Sequence, residues 1–144
     1  MRVAIPEGGR ALARRRATIP KISGKMSMKL ADLAQAMVHG DDLLARQWVL
    51  DAAAVGFEWS TVEEPVGLTR EERVVAAGVV EMMAARAGTV PAAWTAAVSP
   101  LDEALFLVPS ARTMRRTREL CEREGPEGLR RRRVLALPNL LTFA

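Results

Sequence analysis

Apolar residues in the first half of the chain recur with the period of an α-helix. The spacing predicts a helix over 28–38 whose core-facing residues are Leu30, Leu33, Ala34, Met37 and Val38. It predicts a second helix over 41–55 whose core-facing residues are Leu44, Trp48, Ala52 and Val55. Ser27 and one of the two aspartates after Gly40 are suited to cap these helices. The pattern therefore predicts a short helical hairpin.

The segment over 69–87 carries the clearest helix start in the chain. Thr69 and Glu72 form a T-x-x-E capping box, in which each side chain accepts a hydrogen bond from a backbone N–H of the first turn. Apolar residues cover more than half of the helix circumference: Val74, Val75, Val79, Val80, Met82 and Met83. We expect this segment to be the central buried helix, with Gly78 allowing close approach of another backbone.

Prolines and glycines divide the second half of the chain into short elements. We expect a turn of helix around Trp94 and a helix over 111–123 capped by Ser110. The apolar run over 105–108 is too short for its period to separate helix from strand. The predicted fold class is mainly α: one compact, bundle-like domain of five or six helices over 26–144, with a short irregular or strand-like C-terminal segment.

Residues 1–25 show no apolar period and mix glycine, proline and arginine, which predicts a flexible basic arm. Met26 and Met28 directly precede the first periodic segment. Either methionine is an alternative start, and in that case the arm would not belong to the native protein.

Charge is distributed unevenly along the chain. Residues 1–25 contain seven basic residues and one acid, whereas 26–109 contain twelve acids and five basic residues. The last segment, 110–144, contains nine basic residues and four acids. A uniformly basic nucleic-acid-binding protein would not show an acidic body between two basic ends. The basic C-terminal segment either folds back on the acidic body or faces a separate acidic partner.

The composition sets the class of protein. At 144 residues, 49% of them hydrophobic, the chain can bury a core. A single cysteine excludes a disulfide framework and favours a cytoplasmic location. No apolar stretch reaches the length of a membrane span, so we expect no membrane partner.

Catalytic chemistry is poorly represented. His39, beside two aspartates, is the one candidate general base, but a polar residue at a helix end is the simpler interpretation. Cys121 is spaced as a core residue of its helix. We therefore expect no catalytic residue, no metal and no cofactor. An enzyme that uses His39 is the third hypothesis, after a protein-interaction module and a nucleic-acid-binding regulator.

The arginines near the C-terminus are the main candidate site. The residues predicted to bind a partner or phosphate are Arg112, Arg116, Arg130, Arg131, Arg132 and Arg133. The apolar residues predicted to anchor that partner are Val134, Leu135, Leu137, Leu140 and Leu141. Three interpretations stay open: pairing with the acidic body of the same chain, contact with an acidic protein surface, or contact with nucleic acid. The sequence leaves the oligomeric state open.

The hairpin over 28–55 also has the outline of a helix-turn-helix, with Arg46 and Gln47 on the second helix. Three aspartates on or before that helix would face the phosphates, which argues against DNA binding by this element. Nucleic-acid binding by the hairpin or by the arginine-rich segment is therefore the alternative function.

From about residue 44 onward, four stretches appear in a familiar order: "RQWVLDA", "GFEWSTVEEP", "PAAWTAAVSPLDEALFLVP" and "CEREGPEGLRRRRVLALPNLLTFA". They resemble a family of small uncharacterised bacterial proteins, over about two thirds of the chain. The C-terminal stretch is similar to proteins encoded beside nucleotidyltransferase-type toxins. The resemblance implies an antitoxin-like neutraliser of such a toxin and assigns no catalytic residue.

Overall fold

Three helices form the centre of the fold. The computed structural model describes residues 21–142, with side chains from residue 30 onward. α1 (Lys21–Val38) and α2 (Asp42–Ala54) form the predicted hairpin, and α3 (Arg70–Ala87) packs against α1. The remaining elements are short, and several of them pack against α3.

α1 begins seven residues before the predicted start. Its first residue is Lys21, so Ser27 lies inside the helix and is not its N-cap. Residues 21–25, predicted as part of the arm, belong to α1, and the rest of that predicted arm lies outside the described residues. The sequence spacing explains the earlier start, because Ile22 and Met26 continue the i, i+4 repeat that leads to Leu30.

The buried side of α2 agrees with the predicted one at Trp48 and Ala52 only. Its N-cap is Asp41, whose carboxylate accepts a hydrogen bond from the backbone N–H of Leu44 at 3.1 Å. The buried residues are Ala45, Trp48, Val49 and Ala52. Leu44 and Val55, predicted to face the core, are each 48% exposed. Apolar residues occur all around this helix, so the period alone could not identify the buried side.

Aromatic residues anchor the connection after α2. The rings of Trp48, Phe57 and Trp59 lie with their centroids 4.6–5.9 Å apart. Trp94 is half-buried, and its indole N–H donates a hydrogen bond to the carbonyl of Val62 at 2.8 Å. The burial of Trp48 agrees with its predicted core-facing position.

α3 is the central buried helix, as predicted. The capping box is present: Glu72 N–H donates to Thr69 Oγ1 at 3.2 Å, and Thr69 N–H donates to Glu72 Oε1 at 3.0 Å. Every residue from Val74 to Met82 is buried, and the helix ends at Gly88 in the left-handed conformation.

The C-terminal half consists of short elements joined by turns. A 3-10 turn over Ala93–Ala97 contains Trp94, and a second over Pro109–Arg112 contains Ser110. The helix predicted over 111–123 begins later, so Ser110 does not cap it. The remaining elements are β1 (Leu105–Phe106), α4 (Arg115–Glu124), α5 (Glu127–Arg130) and β2 (Val134–Leu135).

β1 and β2 pair in parallel, with Leu105 opposite Val134 and Phe106 opposite Leu135. The apolar run over 105–108, left undecided by its period, thus contributes a strand. It is a strand because a partner far along the chain supplies its hydrogen bonds. The fold is mainly α with a short strand-like C-terminal segment, as predicted. No helix in the described part of the chain could cross a membrane.

α5 lies unusually close to α3. A Cβ atom on Gly78 would lie 2.4 Å from Leu129 Cδ2, and one on Gly128 would lie 2.9 Å from Glu81 Cβ. Both helices therefore need glycine at this crossing. The contact brings the arginines that follow α5 to the polar side chain of Glu81 on the buried part of α3.

Candidate functional site

The arginine run, Arg130–Arg133, starts at the last residue of α5 and continues through a turn into β2. The turn ends at Arg133, whose φ of 65° is in the left-handed region. The backbone carbonyls of Arg132 and Arg133 accept hydrogen bonds from Leu101 and Leu105 at 3.1 and 2.8 Å. The run is therefore fixed to the body of the protein by its main chain.

Arg132 is buried, with 4% of its surface exposed, and it is paired with Glu81 of α3. Its Nη1 and Nη2 donate to the two carboxylate oxygens of Glu81 at 2.5 and 2.9 Å, which is a bidentate pair. Its other hydrogen bonds go to three backbone carbonyls: Gly128 at 3.0 Å, Thr95 at 2.6 Å and Val98 at 3.3 Å. All five N–H groups of the guanidinium thus have acceptors.

The other three arginines of the run also contact the same chain. Arg131 Nη2 donates to Glu81 Oε1 at 2.6 Å, although more than half of its side chain is exposed. Arg130 donates to the carbonyl of Arg123 in the last turn of α4, and Arg133 donates to the carbonyl of Asp102 at 2.5 Å. The interpretation in which the run pairs with the acidic body thus describes Arg131 and Arg132, which bind Glu81. Arg130 and Arg133 bind backbone carbonyls of the same chain instead.

The electrostatics of Glu81 reflect this pairing. Burial by itself raises the pKa of Glu81, but the hydrogen bonds and charge of Arg132 and the hydrogen bonds of Thr95 and Arg131 together outweigh that effect. The pKa of Glu81 is consequently below its ordinary value. Glu81 was absent from the predicted site, since a glutamate within a valine-rich helix gives no sign of its partner in the sequence.

Arg112 and Arg116 lie at the surface near the start of α4. The Arg112 guanidinium lies 6.0 Å from the centre of the Phe106 ring, a cation–π distance. Arg116 has no hydrogen-bonding or ion-pair partner among residues 30–142. The neighbouring Arg115 forms an i,i+4 ion pair with Glu119, with Nε 3.1 Å from Oε2. Binding of a partner or phosphate by Arg112 and Arg116 stays a prediction.

The apolar residues predicted to anchor a partner fall into two groups. Val134 and Leu135 are buried as β2, so they stabilise this chain. Leu137, Leu140 and Leu141 are half-buried and line a cavity of about 290 Å³ together with Met37 and Ala45 from the hairpin.

Arg86 of α3 holds this segment, because it donates to the carbonyls of Leu140 at 2.7 Å and Pro138 at 3.3 Å. The segment that lines the cavity is therefore held in place by Arg86. A role of this cavity in binding a partner stays a prediction.

The candidate catalytic and metal residues do not come together. His39 is largely exposed, and its Nε2 lies 3.5 Å from Glu72 Oε2 at the start of α3. Cys121 is fully buried on α4, and burial raises the pKa of its thiol. Among the described residues there is no group of three or more histidine, cysteine, aspartate or glutamate side chains that could hold a metal ion.

The outer face of α2, defined as Leu43, Gln47, Leu50 and Ala54, is the exposed surface that the sequence analysis missed. Leu43 is 79% exposed and Leu50 is 43% exposed, although both belong to a packed helix. Their spacing places all four residues on one side of the helix, opposite the buried Trp48 and Ala52. The sequence did contain a signal for this exposed surface. Apolar residues occur on every side of α2, and a helix that buries only one side must leave some of them exposed.

A groove runs beside this face, between α1 and α2. Its volume is about 380 Å³, and it is lined by Asp32, Gln35, Ala36, His39, Asp41, Leu44, Gln47, Trp48 and Asp51. Within it, Gln47 Nε2 donates to Asp51 Oδ1 at 2.9 Å. We call this the hairpin groove. Its wall carries the carboxylates of Asp32, Asp41 and Asp51.

Comparisons with known proteins give no relative from which a role could be transferred. No protein-family model, no curated protein and no solved structure matches the chain.

Proposed function

We propose that the chain is a non-enzymatic, cytoplasmic protein-interaction module that binds a partner protein through the outer face of α2. The observation that supports the proposal is the exposure of Leu43 and Leu50 on an ordered helix. A leucine buried at an interface contributes roughly 1.5–3 kcal/mol, so two leucines on one face are a substantial source of binding free energy. Exposed apolar patches with polar rims are typical of interaction sites.

The internal use of the arginine run also supports this surface over the predicted one. An arginine that donates to carbonyls and to Glu81 would have to break those bonds before it could bind a partner. Leu43 and Leu50 of the outer face of α2 make no side-chain hydrogen bonds that a partner would have to break. The sharper form of the proposal, drawn from the C-terminal resemblance, is an antitoxin-like neutraliser whose partner is a nucleotidyltransferase-type toxin.

Site-specific photocrosslinking in the native host tests the proposal. A photoreactive residue at position 43 should form an adduct with a specific protein, whereas the same residue at Met114 should not. Met114 is the matched control because it is also exposed, and α4 contacts other elements than α2. Equal adducts at both positions, or none at position 43, would contradict the proposal.

Nucleic-acid binding is the second candidate. Arg116 and Arg123 are seven residues apart and so lie on one face of α4. Neither has a partner side chain among residues 30–142, and this observation favours nucleic-acid binding. Binding of DNA or RNA should then weaken steeply as salt rises, and R116S/R123S should flatten that dependence. An absence of binding at low salt would remove this candidate.

A further inference from the structure

We infer that the partner segment that binds α2 is a basic amphipathic helix, which lays its apolar side on the outer face of α2 and its positive side chains along the hairpin groove. This inference rests on the proposed function and adds the chemistry of the partner.

The spacing on α2 fits a helix as the occupant. Leu43, Gln47, Leu50 and Ala54 follow one another at intervals of four, three and four residues. This is the interval at which side chains of two packed helices interdigitate. The stripe spans most of α2, so a helix of about three turns would cover it.

The groove beside the stripe has an apolar floor. Ala36, Leu44 and Trp48 line it, and Trp48 is anchored from below by the rings of Phe57 and Trp59. Leu44 is 48% exposed, so the apolar surface continues from the outer face of α2 into the groove. Aliphatic stems of lysine or arginine can lie on such a floor with their charged ends at the rim.

The rim of the groove selects the charge of the occupant. Asp32 and Asp51 are exposed carboxylates on its two walls, and Asp41 and Asp42 stand at the start of α2. The only arginine on α2 is Arg46, which the helical period places on the other flank of the stripe from Asp51; it does not line the groove. A positive partner is therefore attracted along the whole groove, and a negative one is repelled.

The other occupants fit these charges less well. A second copy in a two-fold dimer would place the same aspartates against each other. Nucleic acid would place its phosphates against them. Residues 1–20 of the same chain are also basic, so they are a competing occupant. The experiment must distinguish them from a separate partner.

The test uses two designed peptides of about 18 residues, long enough for a stable amphipathic helix on binding. Both carry leucines at helical spacing, and the polar positions are lysine in one peptide and glutamate in the other. Fluorescence anisotropy with the full chain at low salt should show about tenfold tighter binding of the lysine peptide. L43S/L50S should abolish that binding, whereas M114S should leave it unchanged.

Charge substitutions identify the carboxylates that are responsible. D32K/D51K should remove the preference for the lysine peptide, so that the two peptides bind within about threefold of each other. E103K is the control, because Glu103 is also an exposed carboxylate but lies just before β1 and does not line the hairpin groove. A lysine preference that survives in D32K/D51K, or that E103K removes equally, would overturn the inference.

The remaining outcomes separate this inference from the proposed function. Equal binding of both peptides overturns the basic partner but leaves α2 as an interaction surface, which the crosslink at position 43 tests independently. Binding of neither peptide also overturns the inference. In that case, sedimentation of the full chain shows whether a second copy occupies the outer face of α2. A dimer that is lost in L43S/L50S would identify a second copy as the occupant. A monomer throughout would favour residues 1–20 as the occupant.

Discussion

Glu81 and Arg132 form a bidentate ion pair across 51 residues of sequence, with both side chains buried. The pair joins the central helix to the turn between α5 and β2. The same guanidinium also donates to carbonyls of three other residues, so one side chain fixes several segments of backbone. This is a structural use of an arginine that the sequence presents as part of an exposed basic run.

Removing the carboxylate should destabilise the protein strongly. E81L leaves Arg132 as a buried, uncompensated charge, and we expect a loss of about 3–5 kcal/mol in the free energy of unfolding. Urea unfolding followed by circular dichroism measures it. R115A, which removes an exposed i,i+4 pair, is the control and should cost less than about 1 kcal/mol. Similar losses in the two variants would show that the buried pair has no special role.

Replacing both partners should not restore stability. In many buried ion pairs, two apolar substitutes recover the free energy of unfolding. Here E81L/R132M would also leave the carbonyls of Thr95, Val98 and Gly128 without their donor, at about 1–3 kcal/mol for each one that stays buried. We expect the double variant to remain less stable than the natural protein. Full recovery in a thermal unfolding experiment would refute the role assigned to these carbonyls.

Acid should weaken the fold through Glu81. The folded-state pKa of Glu81 is lowered, so folding favours its ionised form. Its contribution to stability is present above the unfolded-state pKa and is lost as the pH falls through the lowered folded-state value. The free energy of unfolding, measured from neutral pH downward, should therefore fall more steeply for the natural protein than for E81Q. Parallel curves would contradict the assignment.

The glycine at the crossing of α3 and α5 should resist substitution. In an open helix, Gly→Ala stabilises by up to about 1 kcal/mol. In G78A the new methyl group would meet Leu129, which is fully buried, and the carbonyl of Gly128 at 3.2 Å, so we expect a loss of about 1–3 kcal/mol. Chemical denaturation should show a smaller effect of G78A in an L129A background. A stabilising G78A would mean that α5 can move away.

The single thiol should be unreactive in the folded protein. Cys121 is fully buried and its pKa is raised by burial, with the charge of Glu122 adding to the effect, so little thiolate is available. A disulfide reagent at mildly alkaline pH should modify it only as the protein unfolds, at a rate that rises with denaturant. M114C/C121A, with a thiol at an exposed position, should react at once. Rapid modification of native Cys121 would contradict its burial.

The sequence predicted a helix well where the side chains that fix its start are close together in the chain. The capping box of Thr69 and Glu72 fixes the start of α3, and the capping by Asp41 fixes the start of α2. α1 was predicted too short, since the repeat through Ile22 and Met26 was not extended upstream. α4 was predicted to start too early, because the chain first forms a 3-10 turn over Pro109–Arg112.

The candidate site was less predictable because its contacts join distant parts of the chain. The distribution of charge correctly suggested internal pairing of the arginine run as one of three interpretations, but it could not name Glu81 as the acceptor. The exposed side of α2 was not predicted either. A helix with apolar residues on every side can bury any of them, and the choice depends on how α1 and the aromatic cluster meet it.

The sequence by itself determined the mainly helical class, the hairpin and the central helix, because helical period, caps and glycines act within a few residues. Only the tertiary structure decided that Arg132 faces inward, that Leu105 and Val134 pair as strands, and that Leu43 and Leu50 remain outside. Each of these depends on which groups are desolvated together, and burial is a property of the whole fold. The arginine run, which is the most prominent feature of the sequence, thus makes contacts within the fold. The exposed leucines of α2 form the proposed interaction surface.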